Sequence, residues 1–226
     1  MKIDTGIRTI ELSYEEEKPL TEYENQVIEK YVEMHKIHEG YLKRLKDYDA
    51  RVDLSSQASK DGLENLESVK KKLNTLLSFS GTLVTGEEKT RMLEAETEKY
   101  NEAVRAFHLN LCNTNEAWVN LCSDFNDFFE GWETTFETQM EEFSNFLDKF
   151  FENYEEFMLD TESFWHDQEA FKVSLGNTSE RMDKLYEKFQ TGLQQWESLA
   201  VAANLFYDFV KTQDKFDNLN NPQLMN

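Results

Sequence analysis

A phenylalanine recurs at a strict seven-residue interval in the middle of the chain, and this repeat constrains the fold more than any other feature. Its members are Phe129, Phe136, Phe143, Phe150, Phe157, Phe164 and Phe171. An apolar heptad repeat sustained over this length is typical of an α-helix that supercoils with a partner helix. The sequence therefore predicts long helices with heptad-patterned seams.

Turn-forming residues are scarce, which favours a few long helices over strands or alternating strands and helices. The chain has 226 residues, and only 8 of them are Gly and 2 are Pro. We predict an all-α protein, an elongated antiparallel helical coiled coil of three long helices. By start and stop signals the helices span about residues 21–79, 87–175 and 178–216. An extended, strand-like arm at about 1–20 precedes them, and a flexible tail at about 217–226 follows.

The first predicted helix has the clearest start signal and the longest seam. Thr21 and Glu24 match a capping box, in which hydroxyl and carboxylate satisfy amides of the first turn. The small residues Ser55, Ser59 and Gly62 continue the seam, and they predict a place where another element approaches this helix closely. The apolar part of the seam steps by four and three residues through Val27, Tyr31, Met34, His38, Tyr41, Leu45, Tyr48 and Val52.

The seam of the second predicted helix slips by one residue at Gly131, and two architectures are open depending on whether the helix breaks there. If the helix is continuous, short loops place the first helix antiparallel along its first half and the third helix along its second half. If the helix breaks near Gly131, a compact four-helix bundle results. Gly176 and Asn177 are predicted to end this helix, and Asn177 with Glu180 matches the cap of the next one.

The aromatic stripe is wider than a two-stranded seam needs, because several of its phenylalanines are followed directly by a second large apolar residue. We expect this stripe to contact a second chain, in a homo-oligomer or as one subunit of a multiprotein complex. The candidate interaction surface consists of Phe129, Trp132, Phe136, Phe143, Phe146, Phe150, Phe151, Phe157, Met158, Phe164, Trp165 and Phe171.

The charge balance argues against two classes of partner. The formal net charge is −21, from 45 acidic and 24 basic residues, and such a field repels nucleic-acid phosphates and anionic lipid surfaces. A protein partner is expected instead. No apolar run is long enough for a transmembrane helix, and the first residues lack the apolar segment of a signal peptide, so we expect a cytoplasmic location.

The residues that carry chemistry do not form a recognisable catalytic set. A di-iron or di-manganese bundle needs Glu-x-x-His pairs, and none of the 4 histidines has a glutamate three positions before it. His35, His38 and Glu39 fall within one helical turn, and we interpret them as packed or solvated side chains rather than metal ligands. Phosphate-binding loops and nucleophile elbows are also absent from the sequence. We therefore expect no enzymatic activity, no catalytic or metal residues and no cofactor.

These patterns predict a non-enzymatic structural or scaffolding helical subunit that mediates protein–protein interaction in a larger assembly. Two alternatives remain open at this point. A three-helix coiled coil of this length resembles the BAR-domain architecture in helix number and length, which implies a membrane-remodelling dimer, although no motif supports the resemblance. The other alternative is an acidic helical effector or carrier that binds a basic partner protein.

Overall fold

The described part of the chain consists of three long α-helices preceded by two short strands. The computed structural model describes residues 2–4, 9–11, 21–80, 86–152 and 161–220, without the side chains of some of them. The strands are β1 (Lys2–Asp4) and β2 (Thr9–Glu11), and the helices are α1 (Glu22–Ser80), α2 (Glu87–Glu152) and α3 (Thr161–Asn220). The prediction of an all-α protein with three helices is confirmed.

The strands β1 and β2 pair antiparallel, with Ile3 opposite Ile10. They lie in the segment for which an extended, strand-like arm is predicted, and the rest of that arm is outside the described residues. A two-stranded ribbon of this length has little stability by itself in water. The helices therefore account for nearly all of the described fold.

The beginnings of α1 and α2 follow from their sequences. The Thr21 amide donates to Glu24 Oε2 at 2.7 Å, and the Glu24 amide donates to Thr21 Oγ1 at 3.2 Å. This reciprocal pair is the predicted capping box, and it satisfies two amides that the first turn leaves unpaired. Gly86 precedes α2 with φ of +136°, a conformation that favours glycine, and residues 81–85 lie outside the described part of the chain.

The predicted boundary between the second and third helices is wrong. The second helix ends at Glu152, the third begins at Thr161, and Gly176 lies well inside α3. The third helix also continues to Asn220, past the predicted start of the tail. As a result, the seven-residue phenylalanine repeat is divided between two helices.

Packing of the flanking turns explains why α3 continues through Gly176. A glycine inside a helix costs about 1 kcal/mol relative to alanine, which is less than the gain from burying a single large apolar side chain. Phe171, Leu175 and Met182 on the adjacent turns are all buried. The hydroxyl of Thr178 donates to the carbonyl of Ser174 at 2.8 Å, a bond made within an intact helix.

The predicted slip at Gly131 is also wrong, and the alternative of a helix break there is not found, because α2 is continuous through this residue. The original spacing of three and four residues continues from Trp132 through half-buried Thr135 to buried Gln139. Because Thr135 and Gln139 are polar, a search for apolar residues passes over these two seam positions and predicts a shift of register that is not there. The compact four-helix bundle, which requires a break here, is therefore excluded.

The chain divides into two compact units, and each contains a segment of all three helices. Unit 1 comprises Met1–Ala50 and Ser123–Glu187, and unit 2 comprises Arg51–Cys122 and Lys188–Asn226. This differs from the predicted arrangement, in which the first and third helices lie along different halves of the second. Because α3 is longer at its N-terminal end than predicted, it has segments beside α1 in both units.

In unit 1, α1 lies antiparallel to α2 and parallel to α3. The hydroxyls of Tyr41 and Thr135 are 3.1 Å apart between α1 and α2, and the Tyr48 hydroxyl donates to the carbonyl oxygen of Asp124 at 3.1 Å. A Cβ atom on Gly131 would lie 3.3 Å from the Tyr41 hydroxyl, so the small residue there leaves room for this tyrosine. The interface between α1 and α2 in unit 1 is thus built around tyrosines.

Unit 2 contains the close approach that the small residues of α1 predict. A Cβ atom on Gly62 would lie 2.6 Å from Leu199 Cδ2 and 2.7 Å from Asn110 Oδ1. Buried Trp118 of α2 donates from Nε1 to Ser59 Oγ at 3.0 Å. The small side chains of α1 therefore admit large side chains from both neighbouring helices, and this prediction is confirmed.

Candidate protein-interaction site

The structure divides the predicted aromatic surface into a described and an undescribed part. Phe129, Trp132 and Phe136 lie on α2, and Phe171 lies on α3. Phe157 and Met158 lie outside the described residues. Nothing is described of the side chains of Phe143, Phe146, Phe150, Phe151, Phe164 and Trp165, and their part in an interaction surface stays a prediction.

Trp132 and Phe171 belong to the core of unit 1 rather than to an exposed face, because both are buried. The Phe171 ring lies 4.2 Å from the His35 ring and 5.5 Å from the His38 ring, measured between centroids. The Trp132 ring packs edge-on against Tyr41 at 5.2 Å. These two members of the predicted surface are occupied by contacts inside the chain.

Phe129 and Phe136 remain only half-buried at the edge of this core. Phe136 lies 5.5 Å from Trp132 between ring centroids, and Phe129 lies 4.8 Å from Tyr186 of α3. Phe129 and Phe136 are therefore the members of the predicted aromatic surface that remain partly exposed among the described side chains, and Tyr186 adds an exposed aromatic ring beside Phe129. Sequence reasoning did not select Tyr186.

The two histidines of the first helix are part of the same core. His38 Nε2 and Thr178 Oγ1 lie 2.8 Å apart and form a buried hydrogen bond between α1 and α3, and Thr178 Oγ1 also lies 2.8 Å from the carbonyl oxygen of Ser174. His35 is also buried. The interpretation of His35 and His38 as packed side chains is consistent with these contacts.

Unit 1 also buries two glutamines that sequence reasoning missed. Gln139 on α2 and Gln168 on α3 are 4% and 1% exposed, and neither carboxamide has a hydrogen-bond partner among the described residues. An unpaired buried carboxamide costs free energy because it loses its hydrogen bonds to water. For Gln139, the seam of α2 read through Thr135 is the sequence signal that places it in the core.

An apolar groove lies in unit 2, between α1 and α3. A groove with a volume of about 350 Å³ is lined there by Lys70, Leu73 and Asn74 of α1 and by Ala202, Leu205, Phe206 and Phe209 of α3. We call these residues the α1/α3 groove. Its floor is formed where buried Phe206 packs into the core cluster of Leu66, Val69, Phe107, Leu199 and Ala203.

The upper wall of the α1/α3 groove exposes large apolar side chains. Leu205 is 67% exposed and Phe209 is 46% exposed, and Val201, one turn earlier, is 58% exposed. The spacing of four residues places these three side chains in one stripe along α3. The sequence signal for this stripe is the nearly continuous apolar segment 199–206, which contains more apolar positions than one buried helix face uses.

The groove carries positive charge on its α1 side. Lys70 lines it, and its Nζ lies 2.7 Å from Glu67 Oε1 of the preceding turn. Exposed Lys71 follows directly in sequence. The side chains that α3 contributes to the lining are all apolar. The groove thus combines an apolar wall on α3 with a polar edge on α1, where Lys70 is paired with Glu67.

The described residues contain no ready site for metal chemistry and no membrane span. Within 21–80, 86–152 and 161–220, no three or more His, Cys, Asp or Glu side chains are grouped to hold a metal ion. None of the helices, over the same described ranges, is both long and apolar enough to cross a membrane. No protein-family model, curated protein or solved structure matches this chain.

Proposed function

We propose that the chain is a non-enzymatic structural subunit that holds a partner protein, and that the α1/α3 groove is part of its binding surface. The observation that carries this proposal is the stripe of Val201, Leu205 and Phe209, which stays exposed beside a groove although the core of unit 2 is already filled. Apolar patches rimmed by polar residues commonly mark protein-interaction sites.

The architecture supports a binding role over a catalytic one. Two hydrogen bonds between buried polar side chains, Trp118 to Ser59 in unit 2 and His38 to Thr178 in unit 1, join one helix to another. The charge of −21 also favours a protein partner over nucleic acid or an anionic membrane. A helical unit that carries an apolar groove is a suitable scaffold for a partner helix.

Affinity capture from extracts of the source cells, with the full chain as bait, tests the proposal. We expect the wild type to retain a partner in stoichiometric amount, and Leu205→Glu to lose it, because a carboxylate in the stripe opposes apolar contact. Leu109→Glu is the matched control, since Leu109 is a leucine of similar exposure in unit 2 that does not line the groove.

Sedimentation velocity and binding of an apolar fluorescent dye give an independent readout. We expect the wild type to bind the dye or to self-associate. Leu205→Glu should reduce the dye binding or the self-association, and Leu109→Glu should leave it unchanged. A chain that stays monomeric, binds no dye and captures no partner would contradict the proposed function.

A further inference from the structure

We propose that unit 1 contains a pH-sensitive switch: the two buried histidines of α1, His35 and His38, are uncharged in its packed core, and their protonation destabilises that core. The inference is independent of the proposed function, which concerns the α1/α3 groove of unit 2. It rests on where the structure places the two histidines and on what surrounds them.

The 4 histidines of the chain lie in two different environments. His35 and His38 are each 3% exposed, whereas His166 of unit 1 and His108 of unit 2 are exposed. Imidazole is the side chain whose charge ordinarily changes between pH 5 and 8. Acidification through this range therefore places a new charge in water at His166 and His108, but in the core of unit 1 at His35 and His38.

The rings around the two buried histidines are aromatic. Phe171 of α3 lies 4.2 Å from His35 and 5.5 Å from His38, measured between ring centroids. Tyr31 packs edge-on against His35 at 4.3 Å, and Trp132 of α2 lies 6.4 Å from His38. Aromatic faces attract a cation, but this gain is smaller than the cost of removing an ion from water. The surroundings therefore favour uncharged imidazoles.

The same two histidines connect α1 to α3. His38 Nε2 lies 2.8 Å from Thr178 Oγ1, and both histidine rings contact Phe171. Because His35 and His38 are three positions apart on one face of a helix, two positive charges here would also repel each other. Protonation of both is therefore expected to loosen the packing of α1 against α3 in unit 1.

Charged side chains near this core offset the cost of protonation only in part. Glu39 lies one turn after His35 on α1, Asp167 lies one turn before Phe171 on α3, and both acidic residues are half-buried. Their carboxylates keep contact with water, which screens their attraction for an imidazolium. Exposed Arg181, farther along α3, acts in the opposite direction.

The described turns of α2 at this level add no titratable group. Their inward positions are Trp132, Thr135 and Gln139, which stay uncharged. Glu142, on the next turn, is paired with Lys30 at 2.7 Å. Phenols do not ionise in this pH range. An imidazolium in the core would thus have uncharged neighbours on the α2 side.

Stability should fall as the pH falls, because the unfolded chain binds protons that the native core excludes. A histidine in an unfolded chain has a pKa of about 6.5, so the loss begins below about pH 6.5. At about pH 5.5, each histidine that stays uncharged in the native core shifts the unfolding equilibrium about tenfold relative to about pH 7.5, and both together shift it about a hundredfold. For a chain of this size the shift corresponds to a decrease in Tm of roughly 5–10 °C.

Thermal unfolding of the full chain, followed by circular dichroism at about pH 7.5 and about pH 5.5 at constant ionic strength, tests the inference. His35→Leu replaces the imidazole by an apolar side chain of similar size, and His38→Gln keeps an N–H donor for the Thr178 hydroxyl. We expect the wild type to lose roughly 5–10 °C in Tm between the two pH values, each variant to lose about half as much, and the double variant to lose little. His166→Gln and His108→Gln, which alter exposed histidines, should behave like the wild type. Each comparison is made within one protein, so a variant's stability at neutral pH does not enter it.

Two measurements on the wild type locate the effect without any substitution. In NMR spectra, the ring signals of His108 and His166 should move with pH in the native protein, and those of His35 and His38 should stay at the positions of the neutral form. Hydrogen–deuterium exchange, corrected for its intrinsic pH dependence, should show lost protection around Phe171 of unit 1 on acidification and unchanged protection in unit 2.

Each of four results would overturn the inference. The first is a wild-type Tm that stays the same at both pH values, and the second is a double variant that loses as much as the wild type. The third is protonation of the His35 and His38 rings in the native protein without a loss of stability. The fourth is an acid-induced loss that Glu39→Gln abolishes, which would assign it to this carboxylate, or one that lowers protection equally in both units.

Discussion

Gly192 offers a direct test of the packing in unit 2, because it lies on α3 against the indole ring of Trp118. A Cβ atom at this position would lie 2.7 Å from Trp118 Cη2 and 3.0 Å from Cζ2, and it would also contact Ser56 Oγ. The serine side chain is able to rotate away. The indole is fully buried, so it has little space into which it could move. A shift of the ring would also weaken the 3.0 Å hydrogen bond from its Nε1 to Ser59 Oγ. The perturbation is Gly192→Ala.

Two opposing effects set the magnitude. Alanine in place of a helical glycine gains up to about 1 kcal/mol of helix propensity, and overpacking a filled core costs about 1–3 kcal/mol. The balance for Gly192→Ala is a loss of about 1 kcal/mol. The matched control is Gly176→Ala on the same helix, where no atom lies within 4 Å of the added methyl group and the gain of about 1 kcal/mol is unopposed.

The two variants should therefore differ in stability by about 2 kcal/mol, or roughly 4–8 °C in Tm for a chain of this size. Thermal unfolding followed by far-ultraviolet circular dichroism gives the comparison, with tryptophan fluorescence as a second probe. A Gly192→Ala protein as stable as Gly176→Ala would refute the reasoning. Trp118→Phe removes the ring atoms that the added methyl group would contact. Gly192→Ala should therefore lower the free energy of unfolding less in the Trp118→Phe protein than in the wild type. If the effects of the two substitutions are strictly additive, the reasoning is also refuted.

Three further expectations follow from other buried groups. Gln139→Met should raise the free energy of unfolding by about 1–3 kcal/mol, because it removes a buried carboxamide without a hydrogen-bond partner and keeps the side chain's shape; destabilisation in urea unfolding would show that the carboxamide is satisfied. Thr178→Val should cost about 1–3 kcal/mol in the same assay, since it removes the 2.8 Å bond to His38, and an unchanged midpoint would count against that bond. Burial raises the pKa of the Cys122 thiol, which lowers its thiolate fraction at a given pH. Iodoacetamide should therefore modify Cys122 more slowly than exposed Cys112, and the rate at Cys122 should begin to rise only at a higher pH than the rate of an ordinary thiol. Peptide mapping measures both rates, and equal rates would contradict this expectation.

The sequence by itself determined the features that depend on local pattern. The capping box at Thr21 and Glu24 has both bonds that its spacing predicts. The seam of α1 is buried or half-buried along its length, and the small residues Ser59 and Gly62 admit Trp118 and Leu199. These features were predictable because the period of an α-helix assigns each residue to a face, whatever the helix packs against.

The helix boundaries after residue 131 were decided by packing rather than by local signals. Gly131 and Gly176 are tolerated within helices because buried neighbours on adjacent turns offset the cost of glycine. Gln139 is in the core although its side chain is polar. The register of α2 could therefore not be predicted from the apolar residues alone. In each case a tertiary contribution exceeded a local preference of about 1 kcal/mol.

The candidate interaction site was divided in the same way. The sequence located a wide aromatic stripe, but it did not determine which of its members would be covered, and Trp132 and Phe171 are buried against α1 residues in unit 1. The α1/α3 groove depends on residues more than 120 positions apart, Lys70 and Leu73 on one helix and Leu205 and Phe209 on another. Periodicity states which side of one helix is apolar. Only the packing of three helices decides which apolar side chains remain uncovered, because burial is a property of neighbours that are distant in sequence.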